Sequence, residues 1–236
     1  MGTIIAFGKA KGGVGNTTTA INLAYLRAKE KGSENVMLID SDSITNIATI
    51  WVGFRSGNPE LLPLLTMQKT GDKNFVQAIK MLSDKYSDII IDIGGGNDME
   101  LLASMVVADK LFIPSRPSFI DTFAFYDLDK KIGEAKATLN PKLKAFIYPC
   151  VVSPNYSMVS DDLQELIELG NELENIKLTD NYIYDRKVYR RSPKFDGKTI
   201  FELTGEADEK TGKITEKKDL SAEKEMMAFY NEVYND

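Results

Sequence analysis

The chain has 236 residues, of which 43% are hydrophobic and 27% are charged, a composition typical of globular proteins that disfavours disordered and fibrous classes. It contains no histidine and one cysteine, Cys150, so zinc sites, iron–sulfur ligation within one chain and Ser-His or Cys-His catalysis lose their usual ligands or bases. The net charge of −6 argues against uniform coating of nucleic acid but is compatible with a local basic face.

Short apolar runs alternate with longer amphipathic segments, which is the pattern of a mostly parallel sheet covered by helices. The predicted strands, in chain order, are Thr3–Phe7, Val36–Asp40, Asp88–Ile93, Lys110–Pro114 and Lys144–Val152, with a further strand near 176–183. The predicted helices are 17–31, 75–85, 99–108, 119–139, 159–173 and 221–235, and the charged segment 205–219 is predicted to be a flexible connection. With no internal repeat and no clear domain boundary, residues 1–236 are expected to form a single doubly wound α/β domain with helices on both faces of one mostly parallel sheet.

The segment Lys11-Gly-Gly-Val-Gly-Asn-Thr-Thr18 lies directly after the first predicted strand and directly before the first helix. This context is typical of a phosphate-binding loop, because the N–H groups at a helix N-terminus point at the bound anion. Thr17 is predicted to present its hydroxyl to Mg²⁺, and Thr18 to add a phosphate contact. We therefore predict that the loop binds ATP or ADP. The predicted nucleotide contacts are Lys11, Gly12, Gly13, Val14, Gly15, Asn16, Thr17 and Thr18.

Carboxylates follow two of the predicted strands, at the sheet edge where ligands bind in open α/β folds. Asp40 and Asp42 end one strand, and Asp92 ends an apolar run in another. An aspartate behind four apolar residues is typical of a Walker B strand, whose carboxylate orients the water shell of Mg²⁺. The sequence therefore predicts Mg²⁺ beside Thr17 and Asp92, and the glycines at 94–96 are candidates to sense a γ-phosphate.

Four stretches of the chain resemble the ParA/MinD group of ATPases, which carry a deviant Walker A motif. They are the loop KGGVGNTT with the following TAINLA, the segment VMLIDSDSITNIAT, the run YDRKVYRR and the late motif GKTIFE. The resemblance covers nearly the whole chain, and the late motif favours partition ATPases of ParA type over the other branches. It implies a P-loop NTPase fold and a homodimer that forms on ATP binding.

The resemblance also implies roles for individual residues. Lys11 resembles the signature lysine that reaches the phosphates of the partner subunit, with Gly12 at the dimer contact. Asp42 would orient the attacking water, while Asp40 and Asp92 would support Mg²⁺ through water. Lys11 and Asp42 are therefore the catalytic candidates, since a cation supplied in trans and an aligned nucleophile both promote phosphoryl transfer.

Asn16 departs from the family pattern, because it stands where a phosphate-binding loop carries a lysine. Asparagine has no charge and reaches less far, so a charge-assisted contact worth about 1.5 to 3 kcal/mol is lost or becomes a neutral hydrogen bond. We expect weakened nucleotide binding and hydrolysis. Two origins of Asn16 fit the sequence: an engineered change that silences the ATPase, or a natural variant compensated elsewhere, with Lys9 as one candidate.

A local positive excess lies in the stretch 186–198 of this otherwise acidic chain. Clustered lysines and arginines neutralise DNA phosphates without reading sequence, so we predict nonspecific, salt-sensitive DNA binding here, with a merely solvated face as the alternative. The predicted DNA contacts are Arg186, Lys187, Arg190, Arg191 and Lys194.

The resulting hypothesis is a cytoplasmic, nucleoid-associated ATPase that positions a plasmid or chromosome cargo with a site-specific DNA-binding partner of ParB type. No membrane partner is expected, because no apolar run reaches about 18 residues. The segments Pro114–Pro117 (PSRP) and Pro154-Asn155 follow strands at the same sheet edge and are candidates to flank the base, with Pro117 and Asn155 as the predicted contacts.

Three other functions compete with this hypothesis. A MinD-like membrane cycle would need a basic last helix, but the segment SAEKEMMAFYNEVYND is rich in acids. An electron carrier of nitrogenase-reductase type would need two cysteines per subunit, and the chain has only Cys150. A catalytically weak nucleotide-binding scaffold stays open.

Overall fold

The computed structural model describes residues 2–8, 13–42, 45–71, 73–94, 98–116, 119–153, 156–191, 197–205 and 218–235, with the backbone alone at 119–123, 156–162 and 191. The strands are β1 (Thr3–Phe7), β2 (Val36–Asp40), β3 (Leu65–Gln68), β4 (Asp88–Asp92), β5 (Lys110–Ser115), β6 (Lys144–Val152), β7 (Ile176–Leu178) and β8 (Ile183–Tyr184). They lie in the order β3-β2-β4-β1-β5-β6-β7, with β8 paired to β6. Every pairing among these described strands is parallel.

Helices cover both faces of this sheet. They are α1 (Asn16–Lys31), α2 (Ile47–Ser56), α3 (Phe75–Ser83), α4 (Asp98–Val107), α5 (Phe119–Thr138), α6 (Tyr156–Glu172), α7 (Lys187–Arg191) and α8 (Leu220–Tyr234). One hydrophobic core contains side chains of α1, α2, α7 and α8, and a second contains those of α3 to α6. None of the described helices has an apolar stretch that could span a bilayer.

Residues alternate between the two cores along each central strand. Ile5 and Phe7 of β1 face the first core, whereas Ile4 and Ala6 face the second. Both faces are covered, so the strand is apolar throughout, as parallel strands in such sheets usually are. The prediction of a mostly parallel, doubly wound α/β sheet is confirmed, and β1, β2 and β6 have the predicted bounds.

The segment predicted as one strand near 176–183 forms two short strands instead. The backbone N–H groups of Asp180 and Asn181 donate to the Glu232 carboxylate on α8, at 2.7 and 3.0 Å. These groups are therefore unavailable to a neighbouring strand, and the chain turns between β7 and β8.

The helix α2 and the edge strand β3 are absent from the sequence prediction. Ile47, Ile50 and Phe54 of α2 are exposed while Trp51 is buried, so apolar residues lie all round the helix and give no clear period. The first turn of α2 is also stabilised from another element, because the Asp40 carboxylate at the end of β2 accepts the backbone N–H of Thr49. β3 has only four residues and lies at the sheet edge.

Candidate functional site

A cavity of approximately 530 Å³ lies where several parallel strands end. Its wall includes residues 13–19 after β1, Asp42 after β2, Arg116 after β5 and residues 183–186 at β8. The sheet order reverses at β1, because the chain continues to one side through β2 and β4 and to the other through β5 and β6. The cavity therefore occupies the position where open α/β sheets bind their ligands.

The loop that enters α1 needs glycine for its backbone conformation. Gly13 and Gly15 have φ values of +75° and +87°, in the left-handed region that residues with a Cβ rarely adopt, and a Cβ on either would meet no atom of the described residues within 4 Å. Gly15 is also the N-cap of α1, so no capping side chain accepts from the N–H groups of the first turn. Those groups and the open space beside the loop fit an anion such as phosphate.

Asn16 points into the protein. Its side chain is 3% exposed, and its amide nitrogen lies 2.9 Å from the Phe7 carbonyl oxygen, 2.9 Å from Asp92 Oδ1 and 3.3 Å from the Ile93 carbonyl oxygen. The amide has two N–H groups, so it can donate to the two acceptors at 2.9 Å, and the Ile93 carbonyl can at most share one of these hydrogens. Asn16 thus joins the start of α1 to the ends of β1 and β4.

Tyr148 completes this network from β6. Its hydroxyl donates to the Asn16 side-chain oxygen over 3.4 Å, which makes the contact a weak one. Burial, with a smaller contribution from the neighbouring Cys150, raises the pKa of the Tyr148 hydroxyl well above its usual value. The tyrosine therefore keeps its proton and serves as a donor to Asn16.

The predicted carboxylates do come together at the sheet edge. Asp40 lies opposite Asp92 in the pairing of β2 and β4, and both side chains are buried. Asp40 accepts backbone N–H groups from Asp42 at 3.1 Å and from Thr49 at 2.8 Å, so both of its oxygens already have protein donors. The described residues contain no cluster of three or more His, Cys, Asp or Glu suited to hold a metal.

Asp42 lines the cavity, where the sequence analysis expects a catalytic carboxylate. Its oxygens accept from the backbone N–H of Thr45 at 3.1 Å and from the Thr45 hydroxyl at 2.7 Å. Gly94 packs against it, and a Cβ there would lie 2.5 Å from the Asp42 Cα atom. The end of β4 therefore approaches Asp42 closely only because residue 94 is glycine.

Arg116 is a residue of the cavity wall that lies in the segment predicted to flank the base, although the sequence predicts no role for its own side chain. It follows β5 directly, is exposed, and donates from Nη2 to the Gly13 carbonyl oxygen at 2.6 Å. A signal for it exists in the sequence, since it lies in the segment PSRP, at the end of a strand on the ligand edge. Trp51, the single tryptophan of the chain, also lines the cavity and has no such signal.

Members of the predicted DNA-binding stretch differ in their contacts. Arg186 forms a 2.8 Å ion pair with Glu225 of α8; burial would lower its pKa, but the hydrogen bond and charge of Glu225 outweigh burial and raise it. Arg190 has a side chain that is 64% exposed and a looser 3.4 Å ion pair with Asp185. Lys187 is exposed. Lys187 and Arg190 are thus open to solvent, whereas Arg186 is largely held within the fold.

The late motif GKTIFE forms a buried clasp around Arg55 of α2. The Arg55 guanidinium is 1% exposed and donates to both carboxylate oxygens of Glu202, each at 2.7 Å. It also donates to the Gly197 carbonyl oxygen at 2.9 Å. Gly197 has φ of +77°, and a Cβ there would lie 2.5 Å from Arg55 backbone atoms. Glu202 also accepts from the Thr199 backbone N–H and hydroxyl, and the Thr199 side chain accepts the Glu202 backbone N–H, so the two residues form a capping box.

Several predicted site residues lie outside the described part of the chain. They are Lys9, Lys11, Gly12, Gly95, Gly96, Pro117, Asn155 and Lys194, together with the side chain of Arg191 and most of the segment 205–219. Their predicted roles stay predictions.

A parallel sheet whose first strand leads through a glycine-rich loop into a helix defines the P-loop class of α/β proteins. Comparison with known families agrees, since the AAA_31 family model, described as an AAA domain, matches residues 2–65. An uncharacterized protein of Pseudomonas putida is 30% identical over 181 residues, which cover 61% of this chain and 67% of that protein. A chromosome partitioning protein ParA of Myxococcus xanthus is 27% identical over 61% of this chain and 62% of its own length.

Solved structures share the whole fold at low sequence identity. Apo McdA of Cyanothece superposes with a TM-score of 0.70 at 16% identity and covers 99% of this chain and 100% of its own. MinD in the MinC:MinD complex of Aquifex aeolicus has a TM-score of 0.66 at 15% identity over 99% and 96%. Cobyrinic acid a,c-diamide synthase of Mycobacterium smegmatis, with bound ADP and magnesium, has a TM-score of 0.61 at 16% identity over 82% and 93%. The chain belongs to the ParA/MinD-type family of ATPases.

Proposed function

We propose that this chain is a ParA-type positioning ATPase that binds ATP or ADP with Mg²⁺ at the loop 13–18. The observation that carries the proposal is the pair of left-handed glycines, Gly13 and Gly15, which open the loop onto the first turn of α1 beside the cavity. Backbone N–H groups there are oriented for phosphate by the fold itself, so they do not depend on the missing lysine.

The chain's own residues would divide the work at the nucleotide. Thr17 would present a hydroxyl to Mg²⁺, and Asp40 and Asp92 would orient its water shell. Asp42, held by Thr45 at the cavity wall, would align the attacking water. A bound Mg²⁺ would neutralise charge on the β- and γ-phosphates. Lys11 would act across a homodimer that forms on ATP binding, with Gly12 at the contact.

The relatives support this proposal by their names. The Cyanothece protein was also solved as a complex with ATP, the synthase holds ADP and magnesium, and a Myxococcus relative is a chromosome partitioning protein. We propose that the present chain likewise positions a cargo by binding DNA nonspecifically through Lys187 and Arg190, with Arg191 and Lys194 adding charge, and that a ParB-type partner stimulates it.

A catalytically weak nucleotide-binding scaffold is the second candidate function. It is favoured by the orientation of Asn16, which donates to Asp92 and so gives a bound phosphate no charge. A MinD-like membrane cycle is less well supported, because α8 uses its apolar face inside the protein. Met226, Phe229 and Val233 are all buried in the first core.

Nucleotide titration tests the proposal directly. Trp51 is the only tryptophan and lines the cavity, so its fluorescence should change when ATP or ADP binds. ATP with Mg²⁺ should also shift the chain to a dimer in size-exclusion chromatography with light scattering. Asp42→Ala should keep the fluorescence change and abolish ATP turnover, whereas a wild-type protein that binds without any turnover would favour the scaffold. Absence of any nucleotide binding would remove both candidates.

DNA binding requires a separate measurement. Arg190→Ala and Lys187→Ala together should weaken binding to a random-sequence duplex and reduce the slope of log affinity against log salt by about 2. Lys131→Ala is a matched control, because Lys131 is an exposed lysine on α5 that pairs with Asp127. Equal DNA affinity in the wild type and the double variant would leave the basic stretch as a solvated face.

A further inference from the structure

The structure raises the question of which cation faces a phosphate at this loop. The side chain at position 16 cannot be this cation, because Asn16 is neutral and donates to Phe7 and Asp92 inside the protein. Apart from the Mg²⁺ and the partner's lysine of the proposed function, a phosphate at this loop would meet only neutral N–H groups of the loop backbone, and charge-assisted hydrogen bonds are about twice as strong as neutral ones.

Arg116 lies at the place where such a cation is needed. Its Nη2 atom is 2.6 Å from the Gly13 carbonyl oxygen, so the guanidinium touches the loop itself. A guanidinium has five N–H donors, and among the described residues Gly13 is its one hydrogen-bond partner. The remaining donors, on an exposed side chain of the cavity wall, are oriented in a planar fork that suits phosphate oxygens.

The other described arginines of the cavity wall are less suitable. Arg186 is paired with Glu225 at 2.8 Å and is held against α8. Arg190 pairs with Asp185 and belongs to α7, with no hydrogen bond to the loop. Arg116 differs from both, because it has no carboxylate partner among the described residues and because it contacts the loop backbone.

The contact also orients the loop. The carbonyl of Gly13 and the N–H of Val14 belong to one planar trans peptide and point in opposite directions. A hydrogen bond from Arg116 to that carbonyl therefore fixes the direction of the Val14 N–H group as well. One side chain can thus contribute charge and hold a loop donor in position.

We propose that Arg116 supplies the positive charge for the nucleotide phosphates that Asn16 cannot supply. The proposal rests on the proposed function, since it assigns a phosphate-binding residue to the same site. It makes this chain a P-loop protein in which a residue after the strand beside β1 takes the place of the loop lysine at position 16, in addition to the Lys11 proposed to act from the partner subunit.

The test is nucleotide affinity measured by Trp51 fluorescence for ATP, ADP and adenosine. Arg116→Ala should weaken ATP and ADP binding about tenfold to 100-fold, the range for a lost charge-assisted hydrogen bond. It should leave adenosine binding unchanged, because adenosine carries no phosphate. The ATP affinity of Arg116→Lys should lie between those of the wild type and Arg116→Ala, because lysine keeps the charge but lacks the planar guanidinium.

Two further variants separate charge from loop geometry. Arg116→Gln can still donate to Gly13 but has no charge, so it should lose nearly as much ATP affinity as Arg116→Ala. Lys131→Ala removes an exposed positive charge of α5 that does not line the cavity, and it should bind ATP like the wild type. Circular dichroism and the thermal midpoint verify that each variant is folded.

The outcomes distinguish this inference from the proposed function. A wild type that binds no nucleotide would refute the function and the inference together. A wild type that binds ATP while Arg116→Ala binds it equally well would overturn the inference alone. Wild-type affinity in Arg116→Gln, or an equal loss for ATP and adenosine in Arg116→Ala, would show that Arg116 shapes the loop without contributing charge, and this also overturns the inference.

Discussion

Two buried polar networks contact α1, one centred on the neutral side chain of Asn16 and the other on the ion pair between Arg55 and Glu202. At the start of the helix, Asn16 donates to Phe7 and Asp92. Farther along, the Asn22 side-chain oxygen accepts the N–H of Ile200, and so connects α1 to the clasp around Arg55. The network beside the cavity thus has a neutral asparagine where a phosphate-binding loop usually carries a lysine. The clasp, in contrast, contains the buried positive charge of Arg55.

This difference separates the two parts of the sequence that resemble partition ATPases. The motif GKTIFE has a structural explanation, since Gly197, Thr199 and Glu202 each make a contact that Arg55 or the turn requires. The loop has a different explanation, because Gly13 and Gly15 make no packing contact that demands glycine and leave space beside the backbone. A buried charge with complete pairing is typical of a structural role, whereas unfilled space beside backbone donors is typical of a binding site.

Breaking the clasp should have the largest effect on stability. Glu202→Ala leaves the Arg55 guanidinium buried without its carboxylate, and loss of one partner of a buried ion pair costs about 3 to 5 kcal/mol of unfolding free energy. Urea unfolding of the wild type and the variant measures the difference. Glu202→Gln should be intermediate, because it keeps the shape and one acceptor.

An exposed ion pair provides the matched control for the clasp. Asp127 pairs with Lys131 at 3.0 Å, and their side chains are 70% and 44% exposed. Asp127→Ala should therefore change the unfolding free energy by no more than about 0.5 kcal/mol. If Glu202→Ala cost no more than this control, the carbonyl acceptors of Leu62 and Gly197 would be sufficient for Arg55, and the clasp would not be the stabilising element.

The hydrogen bonds of Asn16 should contribute less to the unfolding free energy than the clasp does. Asn16→Ala removes the donor to the Phe7 carbonyl and to Asp92 Oδ1, and leaving buried acceptors without that donor costs about 1 to 3 kcal/mol. Urea unfolding again gives the value. Asn35→Ala is the control, because the Asn35 amide donates to the Lys31 carbonyl near the surface and should cost less than about 1 kcal/mol. If Asn16→Ala left the unfolding free energy unchanged, water would have replaced the amide as hydrogen-bond donor.

The sequence was most informative where one local pattern determines the structure. The apolar run of β4 predicted a buried strand, and the glycines with the following helix predicted the loop at the cavity. It was least informative where distant residues decide, as for α2, whose first turn is capped by Asp40 of another element. The inward direction of Asn16 depends on acceptors at the ends of β1 and β4, and no local pattern records them.

Arg55 and Arg116 show the same limit for charged residues. Nothing around Arg55 in the sequence distinguishes it from a surface arginine, because its partner Glu202 is distant in the chain. Arg116 could have been proposed from its place after a strand at the ligand edge, but its contact with Gly13 follows from the sheet order. Pairing between distant segments therefore decides which cations are structural and which remain exposed at the site.

Among the residues around Asn16, Tyr148 should contribute least to stability, and the pH dependence of unfolding measures its contribution. At neutral pH, Tyr148→Phe should cost about 1 kcal/mol or less, because the hydroxyl is 3.4 Å from Asn16. Burial raises the pKa of Tyr148 in the folded protein above the value of about 10 in the unfolded chain. The unfolded chain therefore releases this proton first, and the stability that Tyr148 contributes is complete below pH 10 and is lost as the pH rises above it.

Removing the Tyr148 hydroxyl should consequently make the alkaline loss of stability shallower. Urea unfolding between about pH 9 and 11 should show a smaller slope for Tyr148→Phe than for the wild type, by up to one proton. The slope should not vanish, because burial also raises the pKa of Tyr189 and Tyr234. Equal slopes would mean that Tyr148 ionises as readily in the fold as in the unfolded chain, and then it could not act as a permanent donor to Asn16.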